Sequence, residues 1–265
     1  MLIQRVITGA IFGIVVIAGV LLLPTSGTAA LLALLFVAGA WEWAGLARLT
    51  APLRAASAAL LAAVALLGYA WTGERSVVIP LLLVAAAFWA VALAAVLSFP
   101  RRLPLAAVGA AGVFVLLPPW AALVHLHGAT PKGPGLVMAV IAIVWAADVG
   151  AFFTGRAIGR HKLAPQVSPG KTWEGVAGGI ALSALVSAVA AALVDVPVGP
   201  FVAVGAVTAL VSVLGDLTVS VAKRNIGVKD SGRLLPGHGG MLDRIDSLTA
   251  AAPIFVLGLL AAGLI

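Results

Sequence analysis

Nine stretches of this chain are apolar for about the length that crosses a bilayer. They lie near residues 6–23, 27–46, 55–71, 76–97, 104–126, 134–153, 173–194, 200–221 and 248–265. A hydrocarbon core of about 30 Å needs roughly 20 apolar residues per helix, so each stretch reads as a membrane span. The runs are continuous rather than alternating, which excludes a transmembrane β-barrel. Of the 265 residues 63% are hydrophobic and 9% charged, too few charges to solvate a globule of this size. The same figures exclude disorder, which requires low hydrophobicity and high charge. The expected fold is an all-α integral membrane protein of about nine helices. The first run is too long for the apolar region of a signal peptide, and a second span follows at once.

The net charge of +7 would suggest nucleic acid in a soluble chain. Its distribution says otherwise. With the N-terminus inside, 14 of the 16 Lys and Arg residues fall in inner segments, leaving only Arg75 and Lys132 outside. That asymmetry orients the N-terminus to the cytoplasm and the C-terminus away from it. No nucleic-acid partner is needed to explain the charge. With no cysteine, disulfides, thiolate metal sites, iron–sulfur clusters and cysteine nucleophiles are also excluded. The organisation expected is 1–130, N-terminal membrane-embedding helices that offer dimer contacts, and 131–265, a catalytic membrane region with two long cytoplasmic loops, 154–172 and 222–247. Gly9 with Gly13, and Gly175 with Gly179, have the four-residue spacing of close helix packing. His125 and His127 are expected at the outer interface.

Only nine acids occur, so each is informative. Glu74 and Asp195 lie in outer loops. Glu42, between Trp41 and Trp43, reads as part of an aromatic anchor at the inner interface. Asp148, Glu174, Asp216, Asp230, Asp243 and Asp246 gather at the inner ends of spans or in the two long loops. An acid inside an apolar helix costs about 2.5–3.5 kcal/mol at the bilayer centre, which makes Asp148 and Asp216 functional candidates, with a structural ion pair as the alternative. Asp216, Ser220 and Lys223 share one helical face, as do Asp243 and Asp246. Between them, Pro236-Gly237-His238-Gly239-Gly240 lets backbone N–H groups approach an anion. Oxygen ligands on converging helices suit Mg²⁺, and the interleaved cations suit phosphoryl chemistry. A P-loop is excluded at Gly170-Lys171-Thr172, because Pro165 stands where its first glycine belongs and no strand precedes it.

These residues resemble the CDP-diacylglycerol synthases, or phosphatidate cytidylyltransferases. The family's signature S-x-x-K-R-x4-K-D-x-G-x2-[apolar]-P-x-H-G-G-x-x-D-R-x-D is matched from Ser220 to Asp246, and SP-x-KTWEG is matched at 168–175. Gly170 and Val219 depart from the pattern, at positions where members often carry Lys and Glu. The resemblance implies Mg²⁺-dependent transfer of CMP from CTP to phosphatidic acid, giving CDP-diacylglycerol and pyrophosphate, at the cytoplasmic face of a bacterial inner membrane. It further implies a homodimer and leaves open a second cation such as K⁺. On this reading Asp216, Asp243 and Asp246 hold the metal and act in catalysis with Lys223, Lys229 and His238. Lys171, Arg224, Arg244, Ser220, Gly239, Gly240, Asp148, Glu174 and Asp230 bind substrate. A transporter of an anionic phosphorylated solute is the alternative, but it should place its acids at the bilayer midplane. A CDP-alcohol phosphatidyltransferase is excluded, since its signature begins with Asp-Gly and this chain contains no such dipeptide.

The charge asymmetry predicts that a reporter active only after export, fused behind Ile265, is active in cells. Activity from a cytoplasm-restricted reporter at the same place would contradict the orientation.

Overall fold

In hydrocarbon every backbone N–H and C=O must find its partner within the protein, and an apolar segment achieves this by coiling into a helix. A computed structural model describes residues 2–234 and 239–265, with side chains from Ile7 onward, and among these it contains nine α-helices. They are α1 (Leu2–Leu22), α2 (Thr25–Leu46), α3 (Ala51–Gly68), α4 (Arg75–Leu97), α5 (Leu105–Ala129), α6 (Gly133–Ile158), α7 (Trp173–Leu193), α8 (Val198–Asn225) and α9 (Leu242–Ala261). Eight of them are long and apolar enough to span a membrane, and α1 contributes the shorter apolar stretch Ile7–Leu22. The protein is therefore a multi-pass membrane protein.

The helix ends sort into two groups by their contacts. At one end of the bundle, His127 on α5 contacts Val20 O (3.0 Å) and Thr25 Oγ1 (3.0 Å), and Lys132 pairs with Asp195 (3.2 Å). His125 there meets Thr72 O at 2.7 Å. Both histidines are buried among the helices at this end. At the other end, Asn225 grips Leu103 through both its amide groups, donating to the carbonyl (3.0 Å) and accepting from the N–H (2.9 Å). This second end carries the two long loops.

The two longest helices have their C-terminal ends there. With 26 and 28 residues, α6 and α8 are about 39 and 42 Å long at 1.5 Å per residue. Arg156, Lys223 and Arg224 accordingly sit on helix rather than in loops. The 154–172 segment also gains structure, an antiparallel hairpin of β1 (Lys162–Ala164) and β2 (Ser168–Thr172) with Lys162 opposite Thr172.

Small residues set the closest approaches. A Cβ on Gly179 would fall 2.6 Å from Ala147 O, and one on Gly175 would fall 2.9 Å from Ala151 O, so this glycine pair packs α7 against α6 as its spacing predicts. The pair on α1 behaves differently, because Gly13 has nothing within 4 Å and lines a cavity instead. A Cβ on Gly215 would meet Asp246 O at 2.5 Å. That glycine lets the first turns of α9 lie directly on α8, which brings Asp246 beside Asp216.

Candidate functional site

The hairpin is positioned before anything else in the site. Thr172 Oγ1 accepts from Gly175 N (3.1 Å), capping α7, and Trp173 N donates to His161 O (2.9 Å). Glu174 accepts from the N–H groups of Arg160 (3.1 Å) and His161 (3.2 Å), and its carboxylate pairs with His161 Nδ1 (2.6 Å). Glu174 fastens the base of the hairpin to α7 through these contacts. Arg224 works from the other side, donating to Val228 O at 3.0 Å and reaching Val167 O in the hairpin turn at 3.4 Å. Held in this way, β2 presents Lys171 to α8, where its ammonium pairs with Asp216 at 2.7 Å. Ser220, one turn further along α8, donates to the second oxygen of Asp216 at 3.1 Å.

Asp243 is the second organising group. One oxygen takes Lys223 Nζ at 2.7 Å, and the other accepts from Ser231 N and Gly240 N at 3.0 Å each, with the Ser231 hydroxyl also at 3.0 Å. The Lys223 and Asp243 side chains are only 10% and 9% exposed. The glycine pair 239–240 was expected to offer N–H groups to a substrate anion. The anion that the Gly240 N–H holds in this structure is the protein's own Asp243. Gly239 takes φ +83°, a left-handed conformation that costs glycine least, and this turns the chain into that contact.

Asp148, Asp216 and Asp246 lie near enough for their like charges to act on one another, with Lys171, Lys223 and Arg244 as the counter-charges. Two cavities meet at Asp148. One, of about 400 Å³, lies under the hairpin and is lined by Arg156, Ser168, Gly170, Lys171 and Asp216. The other, of about 370 Å³, is lined by Asp243, Arg244 and Asp246 at one side and by Gly13, Phe12 and Trp145 at the other. Asp148 thus lines both a polar cavity and one with an apolar side. Among the described residues no three of His, Asp and Glu form a metal cage by themselves. The donors still suit Mg²⁺, which prefers carboxylate oxygens, keeps several waters and shares its ligand sphere with substrate phosphates.

The remaining expected residues are less engaged. Lys229 and Asp230 are exposed in the 222–247 loop, with Asp230 beside Gly239. His238 lies outside the described residues. One residue of the site was misread. Glu42 is 1% exposed and, rather than anchoring an interface, accepts hydrogen bonds from the Ser231 hydroxyl (3.0 Å) and Leu242 N (2.8 Å). Its neighbour Trp43 is buried too, donating to Val108 O at 2.7 Å. The cost argument that singled out Asp148 and Asp216 applied equally to Glu42 and would have found it.

The cytidylyltransferase family pattern matches residues 3–261. This chain belongs to that family. A phosphatidate cytidylyltransferase of Pseudomonas aeruginosa is 41% identical, covering 99% of this chain and 98% of its own length. The protein of the same name from Haemophilus influenzae is 38% identical over 96% of this chain and 97% of its own length. One from Bacillus subtilis is 43% identical over 45% of each chain. Family membership makes the chain a nucleotidyltransferase.

Removing one partner of a buried ion pair strands the other, at about 3–5 kcal/mol. Asp243→Ala should therefore lower the melting temperature of the purified protein by several degrees, and adding Lys223→Met should recover part of the loss. An Asp243→Ala protein that melts with the parent would contradict the pairing.

Proposed function

We propose that this protein transfers the cytidylyl group of CTP to phosphatidate at the cytoplasmic face of the bacterial inner membrane, forming CDP-diacylglycerol and pyrophosphate. The observation that carries the reading is the meeting of two cavities at Asp148, where acids and cations alternate at one end of the bundle. One substrate is a water-soluble polyanion and the other an anion anchored in a leaflet. The hairpin cavity, walled by Arg156 and Lys171, suits the nucleotide phosphates. The neighbouring cavity, with Arg244 at its polar side and Phe12 and Trp145 at its apolar side, suits a lipid phosphate. The names of the relatives, each a phosphatidate cytidylyltransferase over most or half of its length, support the same chemistry.

In the reaction a phosphatidate oxygen attacks the α-phosphorus of CTP, the bond to the β-phosphate breaks, and pyrophosphate leaves with its electron pair. No covalent enzyme intermediate is needed. In this structure Lys171 and Lys223 neutralise Asp216 and Asp243. On substrate entry these ammonium groups turn to the phosphate oxygens, where fixed cations stabilise charge developing in the transition state. Asp216, Asp243 and Asp246, with Asp148 beside them, would hold Mg²⁺. Bound there, the ion would supply charge neutralisation for the transferred group and the departing pyrophosphate. Ser220 holds one oxygen of Asp216, and Gly215 lets the backbone at Asp246 approach α8.

Purified protein given CTP labelled at the α-phosphorus, phosphatidate and Mg²⁺ should place the label in lipid. Protein in vesicles that concentrates the label without converting it would favour transport instead. Lys171→Arg replaces a compact ammonium by a planar guanidinium and should lower kcat/KM for CTP at least tenfold, about 1.4 kcal/mol of transition-state stabilisation. Arg101→Lys, on a loop away from the acids, should leave it unchanged. Parental activity in Lys171→Arg would reduce that lysine to a topological charge.

A further inference from the structure

A buried carboxylate in the N-terminal half of the chain has no role in the chemistry proposed above. Glu42 lies one turn from the end of α2, yet its partners are on the loop between α8 and α9 and on α9 itself. Oε2 accepts from the Ser231 hydroxyl at 3.0 Å and from Leu242 N at 2.8 Å. Gly232 and Gly240 press against the same carboxylate so closely that a Cβ at either position would collide with it. Oε1 is buried with no hydrogen-bond partner among the described residues. An aliphatic side chain at this place would avoid the cost of burying a carboxylate. What the carboxylate does instead is tie residues 231–232, within the loop, to residues 240–242 at the start of α9.

The grip continues into the site. Ser231, held by Glu42, reaches Asp243 through both its N–H and its hydroxyl at 3.0 Å, Gly240 N adds a third contact at 3.0 Å, and Asp243 in turn holds Lys223 at 2.7 Å. We infer that Glu42 is a positioning residue, the clasp that ties Ser231 to the start of α9 and so sets Asp243 against Lys223. It touches neither substrate, and its effect on the reaction passes through Ser231. The inference rests on the proposed function only for the consequence in catalysis, because the clasp itself is a matter of loop placement. Gly232 and Gly240 are then required by the bulk of the Glu42 carboxylate, whatever they contribute to a ligand.

The test uses the full-length purified protein with Glu42→Gln, Glu42→Ala and Ser231→Ala. The amide oxygen of Gln can accept from both the Ser231 hydroxyl and Leu242 N, so this variant should keep turnover within about threefold of the parent. Glu42→Ala should lower kcat at least tenfold while KM for CTP moves less than threefold, because Lys171 and Arg156 stand on the hairpin side of the site. Trypsin supplies a readout independent of activity. Lys229 and Arg233 are exposed on the clasped loop, and cleavage after them should be at least tenfold faster in Glu42→Ala than in the parent or in Glu42→Gln. Should Glu42→Ala fail to fold, Ser231→Ala removes the link alone and should show the same split and the same faster cleavage. Parental cleavage and turnover in the alanine variants would overturn the inference. So would a Glu42→Gln protein as impaired as Glu42→Ala, since charge rather than hydrogen-bond acceptance would then be the cause. If the parent transfers no cytidylyl group, the proposed function fails on its own, and the cleavage rates still decide the clasp.

Discussion

A carboxylate among apolar helices is tolerated only where the protein supplies a partner, and this requirement shapes one whole end of the bundle. Asp216 is paired by a lysine delivered on a hairpin, which itself depends on Glu174 and Arg224 for its position. Asp243 is paired by a lysine on α8 and wrapped by the N–H groups of the following loop. Each acid therefore recruits a separate piece of chain, and the pieces converge because the acids do. Electrostatics in a low-dielectric setting is strong enough to organise loops that have little apolar surface of their own.

The same pairs bear on the proposed chemistry. In this structure the lysines satisfy the acids. On the proposed function, substrate phosphates would offer the lysines alternative partners and free the acids for a metal. Such an exchange would limit uncompensated charge, which is costly away from water. Gly215 is the steric condition for all of it, because any side chain there would push α9 off α8 and separate Asp246 from Asp216.

Much of this was legible in the sequence, and the gaps have physical causes. The spans could be read within a few residues because hydrocarbon thickness imposes a length on each one. Helix ends beyond the membrane were harder, since Asp243 and Arg156 are polar residues in helices whose apolar pattern begins or ends several residues away. The hairpin escaped because strands of three and five residues, containing Pro169 and Gly170, carry no alternation to detect. The acids were recognised as a set by their cost, and Lys171 and Lys223 by their company. Their pairing with particular acids was not visible, because it depends on which helix faces which. Glu42 was misread for a similar reason. Its partners lie 189 and 200 positions away, while its immediate neighbours are tryptophans that suggested an interface.

The central claim is that Asp216 and Asp246 hold a divalent cation together with the nucleotide. Mn²⁺, which takes the same oxygen ligands as Mg²⁺ and is paramagnetic, allows this to be measured on the purified protein without reference to turnover. Electron paramagnetic resonance titrations should show Mn²⁺ bound by the parent in the presence of CTP, in excess of what CTP alone binds. In Asp216→Asn and Asp246→Asn that protein-dependent binding should weaken at least tenfold. Unchanged Mn²⁺ affinity in both variants would contradict the account.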